Sequence, residues 1–344
     1  MLLATAGRDA DGFTIRAGRD EDGPAIIALI SSAWGEYPGV FMDVDGENPE
    51  LRALASYFAE AGGMLWVAEQ DGALLGSVAT RPAGAGSWEL CRMYVAAHTR
   101  GAGLAARLLS VAEDHARGHG AKRMHLWTDT RFDRAHRFYA RHGYLRDGGI
   151  KPLMDASNTL DFGYAKPLAG LVVSALDTAA AASAARSLGR LMSVCVDAGA
   201  SISFLPPLAL AVSEAFFRSR ASEVATGRRV LLVAWLEGSL VGTVMVDLAM
   251  PANQPHRAEI QKLFVHPAAR RRGVARALMQ AAEAAAGQAG RSLLTLDTRS
   301  GDDAERLYAA MGWTRAGEIP GFALSADGSL HATTLFYKQI PGPI

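Results

Sequence analysis

The pattern of apolar and polar residues along the chain predicts the same series of elements twice. Each series begins with a strand that runs into an acidic helix start, in FTIRAGRDED (13–22) and GLVVSALDTA (170–179). Two helical stretches follow. A hairpin with a glycine turn comes next, in MLWVAEQDGALLGSVAT (64–80) and VLLVAWLEGSLVGTVMV (230–246). The duplicated order indicates two similar α/β halves.

A glycine-containing loop follows the next strand in each series, and it opens into a predicted helix. Apolar and small residues recur there at helical spacing: Leu104, Leu108, Val111, Ala112 and His115, and then Val274, Leu278, Ala281, Ala282 and Ala285. KRMHLWTD and RSLLTLD predict buried strands, a tyrosine-containing helix follows each, and a final strand completes each series.

Alignment of the two loop segments indicates one domain written twice. SWELCRMYVAAHTRGAGLAARLL (87–109) and RAEIQKLFVHPAARRRGVARALM (257–279) match at an offset of 170 residues. The offset becomes 168 between WTDT and TLDT, and 169 between RFYARHGY and RLYAAMGW. We therefore predict a flexible tail at 1–12, a first domain at 13–167 and a second at 168–344.

Composition supports this division and narrows the function classes. A chain of 344 residues with 49% hydrophobic and 20% charged residues fits two soluble domains of about 170 residues each. The formal net charge of zero argues against a nucleic-acid partner. Cys91 and Cys195 lack metal-type spacing, so we expect reduced thiols and no metal. No leader or membrane-spanning run is apparent, and we expect a cytoplasmic protein.

The repeated motifs resemble the GNAT superfamily of N-acetyltransferases, whose signature is Arg or Gln, two residues, Gly, one residue, and Gly or Ala. RGAGLA (Arg100–Ala105) and RRRGVA (Arg270–Ala275) fit it, and the resemblance runs from about residue 13 to 340. The second copy is also similar to tabtoxin-resistance acetyltransferases. The resemblance implies an α/β fold with two tandem GNAT domains, each a mixed, mostly antiparallel sheet flanked by helices, and acetyl-CoA as the cofactor.

The chemistry of the loop agrees with that implication. Small loop residues let backbone N–H groups approach an anion, and the helix N-terminus adds its positive dipole end, so a pyrophosphate is the expected guest. The alternative is an ordinary strand-to-helix turn. The predicted cofactor-binding residues are Val95, Arg100, Gly101, Ala102, Gly103, Leu104 and Ala105, and Val265, Arg270, Arg271, Arg272, Gly273, Val274 and Ala275. Backbone N–H groups near Val95 and Val265 are predicted to polarise the acetyl carbonyl.

Two carboxylates in each copy are candidates for proton transfer. Glu89 and Glu259 lie on the strand that enters the loop, where a glutamate facing a cleft can accept the proton of an amine. The alternative is a glutamate that faces solvent. Asp129 and Asp297 end the next strand, and tabtoxin-resistance enzymes resemble this pairing. Each aspartate could instead cap the following helix.

A tyrosine in each copy completes the predicted sites. Tyr139 and Tyr308 match the tyrosine that GNAT enzymes commonly place near the sulfur of coenzyme A, where a phenol can protonate the departing thiolate. A core role for these tyrosines is the alternative. Many GNAT enzymes carry an asparagine seven residues earlier, whereas this chain has Phe132 and Gly301.

The predicted function is acetyl transfer from acetyl-CoA to the primary amine of a small, amino-acid-like molecule, directly in a ternary complex. Three alternatives remain open: one copy is catalytically silent and structural, the protein is a sensor that binds coenzyme A, or RRRG binds nucleic acid. The expected assembly is a monomer of two pseudo-repeated domains or a homodimer, with a small-molecule amine as partner and neither nucleic acid nor membrane.

Overall fold

The computed structural model describes residues 12–325 and 327–341. The predicted tail lies outside this part of the chain except for Gly12. Contacts divide the chain into two compact units: an N-terminal unit of residues up to Tyr139 with Arg146–Ala169, and a C-terminal unit of Ala140–Leu145 with Gly170–Ile344. We describe each unit separately below.

The first half of the chain has the strands and helices of one complete series. Its strands are β1 (Thr14–Ala17), β2 (Met64–Gln70), β3 (Ala73–Pro82), β4 (Ser87–Val95), β5 (Arg123–Asp129), β6 (Leu145–Pro152) and β7 (Leu160–Pro167). Its helices are α1 (Gly23–Trp34), α2 (Leu54–Glu60), α3 (Leu104–Gly118) and α4 (Asp133–Arg141).

The second half repeats that series. Its strands are β8 (Leu171–Ala175), β9 (Arg229–Leu236), β10 (Ser239–Asp247), β11 (Arg257–Val265), β12 (Leu293–Arg299), β13 (Thr314–Leu324) and β14 (Leu330–Gln339). Its helices are α5 (Thr178–Asp197), α6 (Leu210–Ala225), α7 (Val274–Gln288) and α8 (Asp303–Ala310). No helix in residues 12–325 and 327–341 is both long and apolar enough to cross a bilayer.

Each half forms a seven-stranded sheet with the same strand order. The orders are β1-β2-β3-β4-β5-β7-β6 and β8-β9-β10-β11-β12-β14-β13. The central pairs β4–β5 and β11–β12 are parallel, whereas β2–β3, β3–β4, β9–β10 and β10–β11 are antiparallel. These two mixed sheets flanked by helices confirm the predicted fold class.

The parallel strands separate shortly after they begin to pair. In the C-terminal unit, β11 and β12 pair only at Arg257–Glu259, although β12 continues to Arg299 along β14. The pair β4–β5 likewise stops at Glu89. Beyond these points the two strands of each pair are splayed apart. The separation opens a gap between the two strands. Backbone groups of β11 that face this gap have no strand partner on that side.

A β-bulge lies in the same place in both halves. The β3–β4 register shifts between Ser77 and Ala79, and the β10–β11 register shifts between Thr243 and Met245. Arg92 and Lys262 occupy these bulges with φ values of 50° and 53°. Bulges re-aim side chains next to sites. The bulge directs Lys262 to the side of the sheet on which Ser203 lies.

The C-terminal sheet is covered on both faces. On one face α7 packs against Ile260, Leu294 and Leu296. On the other face α5 and α6 pack against Phe264 and neighbouring residues. Because successive side chains of a strand point to opposite faces, Glu259 and Asp297 both lie on the α5/α6 face.

The register corrects one predicted equivalence between the halves. Trp88 pairs with Met124, and Ala258 pairs with Leu294. Lys166 and Lys338, which pair with Met124 and Leu294 across the next strand, bind Glu113 and Glu283, which are 170 residues apart. When residues are counted from these paired positions, Trp127 is equivalent to Asp297, and Asp129 is equivalent to Arg299. The sequence alignment of Asp129 with Asp297 was therefore wrong.

Candidate active site

The loop between β11 and α7, residues 270–275, has a geometry suited to an anion, and we call it the cradle. Gly273 is the N-cap of α7 with φ of 82°, and no side chain caps this 15-residue helix. The first N–H groups of a helix lack partners within the helix and carry its positive dipole end. They are therefore available to a phosphate in the cleft. Gly103 begins α3 in the same way, with φ of 81°.

Arginine side chains add positive charge beside this cradle. Arg270 donates from Nε to the carbonyl oxygen of Val265 at 3.4 Å, and Arg271 lies 3.9 Å from Asp303 with 91% of its side chain exposed. Both line the cleft. Arg272, predicted with them, is exposed and lies outside the cleft lining.

Arg271 adopts a left-handed backbone conformation where the N-terminal unit has a glycine. Its φ is 60°, and that of Gly101 is 87°. We expect Arg271→Gly to raise the free energy of unfolding by up to about 1 kcal/mol, because relief of left-handed strain exceeds the added chain entropy. Coenzyme A binding should weaken about two- to fivefold through loss of an exposed charge. Thermal unfolding and calorimetry measure both effects.

Arg272→Ala serves as the control for that prediction, because it removes the same charge next to the cleft. Equal loss of coenzyme A affinity in the two variants would mean that only the total charge of the loop matters.

A cleft of about 1230 Å³ gathers the predicted residues of the C-terminal unit. It is lined on the cradle side by Val265, Arg270, Arg271, Gly273, Val274 and Ala275, and further along by Glu259, Asp297 and Tyr308. The opening lies where β11 and β12 splay apart. The structure thus brings together every predicted site residue of this unit except Arg272.

The Val265 amide faces that splay. The N–H of the next residue, His266, donates to Val241 on the β10 side at 2.7 Å. Successive amides along a strand point to opposite edges, so the N–H of Val265 points toward β12 and the cleft. This is where a donor can polarise a carbonyl oxygen.

Glu259 and Asp297 are held by neutral hydrogen-bond donors. Gln261 donates from Nε2 to Glu259 at 3.0 Å, and Thr333 donates from Oγ1 to Asp297 at 3.0 Å. The nearest ion pair of Glu259 is a 3.9 Å approach of Arg257. A carboxylate that is oriented without a close arginine keeps its capacity to accept a proton.

Tyr308 lies on α8 and is almost fully buried beside Phe336 and Trp313. Burial, followed by the charge of Asp297, raises the pKa of its phenol. The phenol is therefore neutral at physiological pH and remains a proton donor.

The N-terminal unit arranges its predicted residues differently. Arg81 binds Glu89 through Nε at 2.9 Å and Nη2 at 2.8 Å. The strand register places Asp247 of the C-terminal unit where Arg81 stands. Asp129 is buried and accepts hydrogen bonds from the backbone and guanidinium of Arg131. Both carboxylates are neutralised by close arginines, unlike Glu259.

The signature arginine of the N-terminal unit also forms an ion pair. Arg100 binds Glu36 through two bonds of 2.9 and 2.6 Å, and Arg134 binds the same carboxylate. The hydrogen bonds from Arg100 lower the pKa of Glu36, so the charge of this arginine is already paired with a carboxylate. Phe132 packs against Tyr37 with tilted rings whose centroids are 4.6 Å apart.

A pocket in the N-terminal unit is smaller than the C-terminal cleft. It measures about 400 Å³ and includes Val95 and Arg100 with Glu36. The predicted residues Glu89, Asp129, Tyr139, Gly101, Ala102, Gly103, Leu104 and Ala105 are not in its lining. This pocket, unlike the cleft of the C-terminal unit, does not combine the predicted cradle with the predicted catalytic residues.

Several residues of the C-terminal cleft were not predicted to be functional. They include Lys262, Thr333 and Ser203. The sequence alignment placed Lys262 over Arg92, but nothing in that match predicted the positive φ at both positions. Thr333 joins the site through the β12–β14 register, which connects residues 36 positions apart.

Neither cysteine has the character of a nucleophile. Burial, followed by the charge of Glu89, raises the pKa of Cys91 to about 12, and burial raises that of Cys195 to about 11. Within the described ranges, no group of three or more His, Cys, Asp or Glu side chains is placed to hold a metal ion.

Comparison with known proteins identifies the family. The model of the "Acetyltransferase (GNAT) family" matches residues 26–144 and 204–313. The uncharacterized N-acetyltransferase YjgM of Escherichia coli is 30% identical over 129 residues, which cover 36% of this chain and 77% of that protein. The uncharacterized N-acetyltransferase YhfO of Bacillus subtilis is 28% identical over 144 residues, covering 40% and 93%.

Solved structures that are similar to this chain match about half of its length. The putative acetyltransferase yncA of Salmonella typhimurium, solved with acetyl-CoA, has 18% identity and a TM-score of 0.42, and the match covers 50% of this chain and 95% of that one. The two matches to the family model together span more than half of the residues. This chain belongs to the acetyltransferase (GNAT) family and carries the family's domain twice.

Proposed function

We propose that the C-terminal unit transfers an acetyl group from acetyl-CoA to the primary amine of a small molecule. One observation carries the proposal: a single cleft contains the uncapped start of α7, the carboxylates Glu259 and Asp297, and the buried phenol of Tyr308. The likeness of this half to tabtoxin-resistance enzymes remains a prediction and agrees with a small amine acceptor.

The cradle fits the phosphates of coenzyme A. The uncapped N–H groups of α7 supply donors for a pyrophosphate, and Arg270 and Arg271 supply positive charge on the same side. The amide of Val265 faces the splay and supplies a donor for the carbonyl oxygen of an acetyl group. The bound cosubstrate supplies an activated thioester.

The carboxylates and the phenol then perform the proton transfers. Glu259 accepts a proton from the acceptor ammonium, directly or through water, and Asp297 adds negative charge that favours this cation in the cleft. The free amine nitrogen forms a bond to the acetyl carbon while the carbon–sulfur bond breaks and its electron pair leaves on sulfur. Tyr308 donates its proton to that sulfur and is reprotonated by the second proton that the nitrogen loses as the amide forms. No covalent enzyme intermediate forms.

We further propose that the N-terminal unit is catalytically silent. Its glutamate is bound by Arg81, its signature arginine is bound by Glu36, and Trp127 replaces the second carboxylate. Arg81 contacts one oxygen of Glu89 through two nitrogens, and an arginine this close offsets the charge of the carboxylate and competes with an amine for that oxygen. A structural role for this unit is the interpretation that these contacts favour.

Tyr308→Phe tests the proposed proton donor. We expect kcat to fall about tenfold, because the thiolate then leaves without a charge-assisted hydrogen bond, while KM for the amine changes little. Tyr139→Phe is the matched control, and its kcat should equal that of the wild type. Equal rates for both variants would remove Tyr308 from the chemistry.

The proposed function as a whole is tested by screening the full chain against a library of primary amines. The measurements are release of free thiol from acetyl-CoA and mass-spectrometric detection of the acetylated amine. Stoichiometric binding of coenzyme A without turnover of any amine would favour a sensor. Two coenzyme A sites of similar affinity by calorimetry would contradict a silent N-terminal unit.

A further inference from the structure

A lysine stands on the acceptor side of the C-terminal cleft. Lys262 occupies the bulge of β11, and its Nζ donates to Ser203 Oγ at 2.7 Å. Ser203 belongs to the 198–209 loop between α5 and α6, and part of that loop lines the cleft. Among residues 12–325 and 327–341, no carboxylate lies within 4.0 Å of the ammonium group. The contact partner of this charge is thus a neutral hydroxyl.

The duplicated domain supplies an internal comparison for this lysine. Arg92 stands at the same bulge in the N-terminal unit with nearly the same φ. Its guanidinium binds Glu50 in a close ion pair and also approaches Asn48 at 3.4 Å. In the N-terminal unit the bulge therefore carries a cation that is paired with a carboxylate. In the C-terminal unit it carries an ammonium group with no carboxylate close to it.

Lys262 shares the cleft with the two carboxylates of the proposed reaction. Burial lowers the pKa of Lys262, and the charges of Asp297 and Glu259 act in the opposite direction. A partly buried ammonium loses hydration that a bound anion can replace. A ligand with one cationic and one anionic group matches this arrangement of charges.

The rim of the cleft adds an apolar surface. Leu205, Phe322 and Leu324 line the cleft and are 47%, 54% and 50% exposed. Large apolar side chains grouped at an open cleft favour contact with an apolar part of a ligand.

We propose that Lys262 binds the carboxylate of the acetyl acceptor, so that the acceptor is an amine of amino-acid size that bears a carboxylate and an apolar side chain. In this arrangement the ammonium of the acceptor faces Glu259 and Asp297, its carboxylate faces Lys262, and its side chain contacts the apolar rim. The inference rests on the proposed function, since it assigns the substrate class of the same cleft.

The experiment compares each amino acid with a counterpart that keeps the amine and lacks the negative charge of the carboxylate. L-leucine, L-methionine and L-phenylalanine are each paired with the corresponding carboxamide, and kcat/KM is measured for the wild type, Lys262→Met and Lys262→Arg. The wild type should prefer the acids. In Lys262→Met the ratio of acid to amide should fall about tenfold or more, the loss typical of one charge-assisted hydrogen bond. Lys262→Arg should retain most of the preference.

Arg92→Met is the matched control in the N-terminal unit, and its ratio should equal that of the wild type. Equal loss of acid and amide turnover in Lys262→Met would overturn the inference, because it would mean that the lysine only balances the charge of the carboxylates. Equal turnover of acids and amides by the wild type would overturn it as well, while leaving the proposed acetyl transfer intact.

Direct binding separates failure of this inference from failure of the proposed function. If the wild type acetylates none of these amines, calorimetric titration of the three amino acids into the wild type and Lys262→Met decides the point. Binding that weakens in Lys262→Met supports carboxylate recognition. Equal binding to both proteins, or none to the wild type, overturns it.

Discussion

Replacement of Glu259 by glutamine is expected to lower kcat/KM for amine acetylation by about 100- to 10,000-fold, the usual contribution of a general base. Glutamine has nearly the same shape, so the substitution removes the proton acceptor with little change in volume. Gln261 Nε2 can still donate to the amide oxygen at position 259 in place of the carboxylate. The binding of coenzyme A should be unchanged, because Glu259 lies six residues before Val265 along β11, away from the cradle that follows this strand.

The pH dependence distinguishes loss of a base from general damage. Acceptor amines deprotonate on their own as pH rises toward their pKa, which reduces the need for a carboxylate. The defect of Glu259→Gln should therefore shrink with rising pH. Glu89→Gln is the matched control and should keep wild-type kcat/KM, since Glu89 is bound by Arg81. A pH-independent defect in Glu259→Gln would contradict its role as the base.

The sequence predicted the cradle because its determinants are local. The glycine before α7, the small residues after it and the arginine before it all lie within six consecutive residues, Arg270–Ala275. Their chemistry needs only a strand, a turn and a helix start. The repeat then supplied a second example in matching context. The fold class and the enzyme class that followed from this motif are confirmed.

The sequence did not predict the register at the end of β5 and β12. WTDT and TLDT share two identical residues, the aspartate and the final threonine, and that similarity aligned Asp129 with Asp297. The actual register follows from backbone pairing with neighbouring strands and from the lysine–glutamate pairs anchored on α3 and α7. A shift of two residues keeps each side chain on the same face, so the alternation of apolar residues could not reveal it.

The ion pairs that occupy the N-terminal site join residues that are far apart in the sequence. Glu36 and Arg100 are 64 residues apart, and no local pattern indicates that they meet. Lys262 illustrates the converse case. The alignment found a basic residue at this position in both copies, but only the structure shows which of the two cations is neutralised by an acid.

Gly273→Asp is expected to weaken the binding of coenzyme A to the full chain by about 100-fold or more. The substitution places a carboxylate at the N-cap of α7, where the phosphates are proposed to bind, and like charges in direct apposition cost several kcal/mol. A Cβ at position 273 meets no neighbouring atom within 4 Å, so the packing tolerates the side chain. Isothermal titration calorimetry measures the effect directly.

Two further variants separate charge from backbone strain in that experiment. Gly273→Asn has the same size as the aspartate and the same left-handed φ to satisfy, but it carries no charge. It should lose far less affinity than Gly273→Asp, and equal losses would assign the effect to the backbone. Gly103→Asp makes the same change at the start of α3. Because Arg100 there is already bound by Glu36, this variant should bind coenzyme A like the wild type, and a comparable loss would show that the N-terminal cradle holds the cosubstrate as well.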